Sequence, residues 1–245
     1  MKTIGVIPAR YASTRFPAKV LARINGKPMI EHVWAQARQC QHLNEVLIAC
    51  DHAEVFKVAQ GFGANVVMTN PNHPSGSDRI AEAVKDLDVE IVVNIQGDEP
   101  FIDPKTIDDL VALLINDITC PMGTVIKEIT SDADFNDPNV VKCVVDDNGY
   151  ALYFSRSSIP YNRNAQLPTG TKRYKHLCLY AYCKDFLMQY KDWPKGKLES
   201  IEQLEQLRVL ERGHKIKTTL TTYESIAVDT PEDLKKAEQW FAQLK

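Results

Sequence analysis

Short, almost uninterrupted apolar runs alternate through the first half of the chain with segments whose apolar positions recur every three or four residues. Residues 3–8 read as a strand buried on both faces, and a polar loop follows. A helix then begins near Pro28, with Ile30, Val33, Trp34 and Ala37 on one face. Residues 46–50 form the next strand, and Asp51 and Glu54 open a helix carrying Val55, Val58, Ala59 and Phe62. A third strand (65–68) and a third helix (77–85, with Ser77 as its cap) come next. Residues 89–95 are nearly all apolar. Asp103 then caps a helix with Pro104 at its first position and a core stripe of Ile107, Leu110, Val111 and Leu114.

This alternation predicts right-handed βαβ units and an α/β fold with a doubly wound, mostly parallel sheet. In such sheets ligands bind beyond the carboxyl ends of the strands. The second half is less regular, and one domain spanning residues 1–245 with an irregular insertion is the expected organisation. Residues 140–146 and 151–155 read as a hairpin around Asp147, Asn148 and Gly149. Residues 159–175 read as a long polar loop, 176–183 as a strand, and 215–222 as another. Ser200 and Gln203 form a capping box for one helix with Ile201, Leu204 and Leu207, stopped by Gly213. Thr230 and Pro231 open the last helix.

Composition narrows the setting. With 44% hydrophobic and 25% charged residues, the 245-residue chain has ordinary globular usage. No stretch is long and apolar enough to span a bilayer, and the first ten residues lack a signal peptide's apolar core, so a cytoplasmic protein is expected. The six cysteines form no C-x-x-C pair and read as buried, reduced thiols. A net charge of −3 argues against nucleic-acid or anionic-membrane partners, so an anion site has to be a local cluster of cations.

Residues 10–19 supply such a cluster. Arg10, Arg15 and Lys19, with Ser13 and Thr14 between them, follow the first strand at its carboxyl end, where charge-assisted donors suit phosphate oxygens. Neither G-x-x-x-x-G-K-[ST] nor G-x-G-x-x-G is present. Asp98 sits at the tip of the fourth strand, and Asp229 precedes the last helix. Two carboxylates at such ends suit Mg²⁺, which takes one or two carboxylates plus phosphate oxygens, although turns and helix starts also favour aspartate. Arg79, in the run Gly76 to Arg79 at a helix start, is a further candidate for an anion or a base. Arg156 after Phe154 and Ser155, and His176 and Tyr180 on one strand face, complete the polar candidates, with Glu205 and Gln206 on the amphipathic helix.

Several of these segments together resemble the 3-deoxy-manno-octulosonate (Kdo) cytidylyltransferases, or CMP-Kdo synthetases. The matching segments are Ile7 to Pro17 with Lys19, Asn25 to Ile30, Gly76 to Arg79, Val93 to Pro100, Ala151 to Ser157, Leu204 to Leu210 and Val228 to Asp233, in order along nearly the whole chain. The resemblance implies a nucleotide-diphospho-sugar transferase-like fold and a Mg²⁺-dependent enzyme. It would transfer CMP from CTP to Kdo with release of pyrophosphate, for lipopolysaccharide biosynthesis. It implies that Arg10, Ser13 and Lys19, assisted by Arg15, grip the triphosphate, with Arg79 near the nucleotide. Asp98 and Asp229 would hold Mg²⁺, and Gln96, Arg156, His176, Tyr180, Glu205 and Gln206 would form the sugar-acid pocket. It further implies a nucleotide-binding half to about residue 130, a sugar-binding and dimerising half over 131–245, and a homodimer.

Two departures stand out. Ala18 and Val20 replace the glycine and proline of the family's Pro-Gly-Lys-Pro, and Cys178 stands where glycine is common. An acceptor related to Kdo, such as its 8-amino analogue or sialic acid, fits the same motifs. So does a nucleotide-binding module without catalysis. A glycosyltransferase would use a D-x-D motif, which Asp132 and Asp134 match in letters only.

Overall fold

The computed structural model describes residues 1–12, 16–117, 119–163, 170–224 and 226–243. Strands β1 (Thr3–Ala9), β4 (Glu45–Cys50), β5 (Asn65–Met68) and β6 (Ile91–Asn94) fall where the apolar runs predict them. A small hairpin, β2 (Arg23–Ile24) with β3 (Lys27–Pro28), precedes helix α1 (Met29–Ala37). Helices α2 (Ala53–Gly61), α3 (Gly76–Val84) and α4 (Pro104–Asn116) alternate with those strands. After them come β7 (Met122–Glu128), α5 (Asp132–Asn136), β8 (Lys142–Val145), β9 (Ala151–Ser155) and β10 (Tyr174–Cys183). The chain ends with α6 (Lys184–Tyr190), α7 (Lys197–Glu202), α8 (Leu207–Glu211), β11 (Lys217–Thr221) and α9 (Pro231–Gln243).

The main sheet runs β11-β7-β10-β6-β1-β4-β5, with β8 and β9 attached at β10. β1 pairs in parallel with both β4 and β6, β4 with β5, and β11 with β7. β10 is antiparallel to its neighbours β6 and β7. Alternate residues of β1 bury in opposite layers. Ile7 and Ala9 join α1, α2 and α4 on one face; Ile4 and Val6 join α3, α6 and α8 on the other. Burial on both faces explains why these strands read as continuous apolar runs.

Several local expectations are corrected. His52, not Asp51, caps α2, and Ser75, not Ser77, caps α3. The single helix expected after Ser200 is two. Glu199 Oε2 accepts from the Gly196 N–H at 3.0 Å at the start of α7, and Gln203 ends the helix in the left-handed region at φ 55°. Glu205 and Gln206 therefore lie at the break before α8, not on one continuous amphipathic face. Asp132 and Asp134 fall in the short helix α5, where they pair with Arg173 and Lys175.

Candidate active site

The carboxyl ends of β1 and β6 open into a cleft of about 460 Å³ lined by Arg10, Lys19, Gly76, Gln96, Gly97, Asp98 and Asp229, among others. Gly97 is what lets the loop after β6 come so near β1, because a Cβ there would lie 3.0 Å from the Pro8 carbonyl oxygen. Asp98 is held by a backbone bond in which the Val228 N–H donates to its carbonyl oxygen at 2.9 Å. Val228 is wholly buried with Ile24, Met29, Phe101 and Ala237, and this small core fixes the segment before α9. Asp229 follows directly. Thr230 and Asp233 cap α9 reciprocally, with Asp233 N–H to Thr230 Oγ1 at 3.2 Å and Thr230 N–H to Asp233 Oδ2 at 3.1 Å.

Lys19 stands between the two aspartates. Its Nζ donates to Asp98 Oδ2 at 2.7 Å and Asp229 Oδ1 at 2.8 Å. Burial works to lower the Lys19 pKa, but the charges and hydrogen bonds of Asp98 and Asp229 together outweigh it and raise the value above that of ordinary lysine. The ammonium is therefore permanent at any physiological pH. The residue before it, Ala18, is left-handed at φ 53°, and its N–H donates to Tyr11 O at 3.0 Å, curling the loop back on itself. Ser13 and Arg15 lie outside the described residues.

Arg79 does not line the cleft. It is fully buried, with Nη2 on Asp51 Oδ2 at 3.0 Å and Nη1 on Thr69 Oγ1 at 2.5 Å, tying α3 to the ends of β4 and β5. Asp51 also accepts from the Tyr11 N–H at 2.8 Å, and the Tyr11 ring stacks on His52 at 3.8 Å. Asp51 thus anchors the start of the cationic loop, a role that its reading as a helix cap concealed.

A second group adjoins the cleft through Gln96, whose Nε2 donates to the Cys178 carbonyl at 3.1 Å. His176, Tyr180 and Gln206 are buried and hydrogen-bonded in series. Tyr180 O–H donates to Gln206 Oε1 at 3.1 Å, and Gln206 Nε2 lies 3.4 Å from His176 Nδ1. Burial pushes the His176 pKa down to about 3, so the ring is neutral. Glu205 is raised, mainly by burial, and accepts from Ser77 Oγ at 3.2 Å. Arg156 ties β9 to α7: its Nε donates to Glu202 O at 2.8 Å and its Nη1 to Pro138 O at 3.1 Å. Cys178 is left-handed at φ 50° in a bulge of β10 and is exposed, unlike Cys40, Cys50, Cys120 and Cys143. Thr124, on the unpredicted strand β7, is fully buried and bonded to His176.

The donor set at the cleft suits a hard cation. Two oxygen ligands converge on one point now neutralised by an ammonium, and no group of three or more His, Cys, Asp or Glu side chains gathers among the described residues.

Comparison with known proteins identifies the family. The family described as Cytidylyltransferase matches residues 4–216. A 3-deoxy-manno-octulosonate cytidylyltransferase of Solibacter usitatus (strain Ellin6076) is 48% identical over 98% of this chain and 94% of its own length. An 8-amino-3,8-dideoxy-manno-octulosonate cytidylyltransferase of Shewanella baltica (strain OS195) is 47% identical over 99% of both. Among solved structures, a CMP:2-keto-3-deoxy-manno-octonic acid synthetase complexed with CTP superposes with a TM-score of 0.95, at 40% identity over 100% of both chains.

Proposed function

The chain belongs to the cytidylyltransferase family, and on that premise we propose that it activates 3-deoxy-manno-octulosonate by transferring CMP from CTP, for lipopolysaccharide assembly. The observation that carries the reading is the Asp98–Lys19–Asp229 bridge at the mouth of a cleft that also contains Arg10. In the reaction the anomeric hydroxyl of the sugar attacks the α-phosphorus. A new P–O bond forms, the bond to the β-phosphate oxygen breaks, pyrophosphate leaves, and the hydroxyl proton is lost. Such transfer needs positioning and charge neutralisation more than covalent help.

Arg10 and Lys19 would grip the triphosphate, with Ser13 and Arg15 joining them. Asp98 and Asp229 would hold Mg²⁺, which supplies neutralisation of phosphate charge when bound. Gln96, Arg156, His176, Tyr180, Glu205 and Gln206 would receive the sugar acid. Its many hydroxyls suit a neutral imidazole, a phenol and amides better than a dense set of charges. Arg79 supports the nucleotide side at one remove, through Asp51. The 8-amino acceptor is a second reading, supported by the 47% identity to a cytidylyltransferase named for that sugar. A homodimer belongs to the same proposal, consistent with the exposed apolar Leu152 and Ile201 in the second half; light scattering of the purified chain tests it.

The decisive experiment is pyrophosphate release with CTP and Mg²⁺ against Kdo, 8-amino-Kdo and sialic acid in parallel. Release with Kdo at the highest kcat/KM is expected. No release with any acceptor would sink the enzyme reading and favour a binding module. Asp98→Asn should lower kcat by roughly a hundredfold or more.

A further inference from the structure

Thr124 of β7 makes two hydrogen bonds with one hydroxyl: Oγ1 donates to the Leu179 carbonyl at 2.7 Å and lies 2.8 Å from His176 Nε2. A carbonyl can only accept, so the single hydroxyl proton belongs to the Leu179 bond. Thr124 Oγ1 is then an acceptor toward His176, and His176 carries its proton on Nε2. The ring is buried against Phe154 and Tyr180, at centroid distances of 4.9 and 5.3 Å, and a second proton is strongly disfavoured there. Nδ1 is therefore bare. The two groups that face it are both donors, Gln206 Nε2 at 3.4 Å and Cys178 Sγ at 3.6 Å. Gln206 is oriented consistently at its other end, where its Oε1 accepts from Tyr180 O–H at 3.1 Å.

The direction of every bond in this chain thus follows from one carbonyl in the β10 bulge. That bulge is held at three points: Leu179 O by Thr124, Cys178 O by Gln96 Nε2, and Cys178 Sγ by His176 Nδ1. We propose that Thr124 is a positioning residue for the acceptor sugar: it fixes His176 as the neutral Nε2–H tautomer and pins the 178–179 bulge that walls the pocket. The proposal rests on the reading of His176, Tyr180 and Gln206 as the acceptor pocket.

Long-range ¹⁵N–¹H spectra of the full chain, with the His176 resonance assigned by its loss in His176→Gln, test the tautomer without altering Thr124. A pyrrole-type Nε2 and a pyridine-type Nδ1 are expected, unchanged in Thr124→Ser and lost in Thr124→Val. A wild-type spectrum with the proton on Nδ1, or on both nitrogens at neutral pH, overturns the proposal even if Thr124→Val does not fold. Steady-state kinetics form the second arm. Thr124→Val should raise KM for the sugar about tenfold, since an unsatisfied buried partner disturbs the wall, and leave KM for CTP unchanged; Thr124→Ser should restore wild-type values. A changed tautomer with unchanged sugar KM overturns the positioning role and the pocket reading beneath it, while pyrophosphate release by the wild type still supports the enzyme. Equal losses for CTP and sugar overturn it as well.

Discussion

Ala18 and Cys178, the two residues that stand where the family commonly has glycine, both have left-handed backbones, at φ 53° and φ 50°. A side chain in that region costs about 1–2 kcal/mol, partly offset because glycine has more freedom to lose on folding. Ala18→Gly should therefore raise the melting temperature by about 2 °C in calorimetry. Cys178→Gly should gain less, because the thiol contact to His176 Nδ1 goes with it. His176 itself makes stability depend on pH. Its folded pKa of about 3 lies below the ordinary histidine value of 6.5, so between these values the unfolded chain binds more protons. Stability is then fully present above pH 6.5 and is lost as pH falls toward 3, by at most about 1.4 kcal/mol per pH unit. Glu205, raised by burial, opposes this just above its ordinary carboxyl range. Urea titrations at several pH values should show a shallower slope for His176→Asn than for wild type.

The break between α7 and α8 delivers Gln206 to His176, and an ion pair spans it. Arg208 Nη2 lies 2.6 Å from Glu199 Oε1 and Nε 2.7 Å from Oε2, with both side chains largely out of water. Breaking such a buried pair typically costs 3–5 kcal/mol. Arg208→Met should lower urea stability by about 3 kcal/mol and raise the sugar KM, because α8 is then free to drift from α7. The loop after β6 is constrained differently, by contact with the Pro8 carbonyl. Gly97→Ala must shift it by a few tenths of an ångström and carry Asp98 away from Lys19. We expect a clear rise in KM for CTP with only about 1 kcal/mol lost in stability, separable by kinetics and melting.

At the scale of the molecule, the cleft is assembled from four distant parts of the chain: the loop after β1, the start of α3 at Gly76, the tip of β6 and the segment before α9. A ligand held there joins them and should stabilise the fold as a whole. At a hundredfold excess over Kd, CTP with Mg²⁺ contributes about 2.7 kcal/mol, or roughly 5–10 °C in melting temperature. Removing Mg²⁺ with a chelator should abolish most of that shift. Asp98→Asn and Asp229→Asn should each remove the Mg²⁺-dependent part and leave any shift due to CTP alone. An equal shift with and without Mg²⁺ in the wild type would contradict a metal held by these carboxylates.

Periodicity alone determined the βαβ order of the first half, because β1, β4 and β6 are buried on both faces and each helix on one stripe. It also placed Arg10 and Asp98 in the loops that follow strand ends. Tertiary structure decided the rest. Strand β7 was invisible without its partners β10 and β11, and the antiparallel insertion of β10 leaves no local mark. A serine, a glutamine and a glycine near residue 200 all satisfy the pattern of one helix; only packing against β9 and α6 selects two. Asp51 and Arg79 look like helix-start residues until the strands they tie are side by side. Thr124 is silent in sequence for the same reason: the direction of its hydrogen bond depends on the Leu179 carbonyl, 55 residues away, that meets it only in the folded sheet.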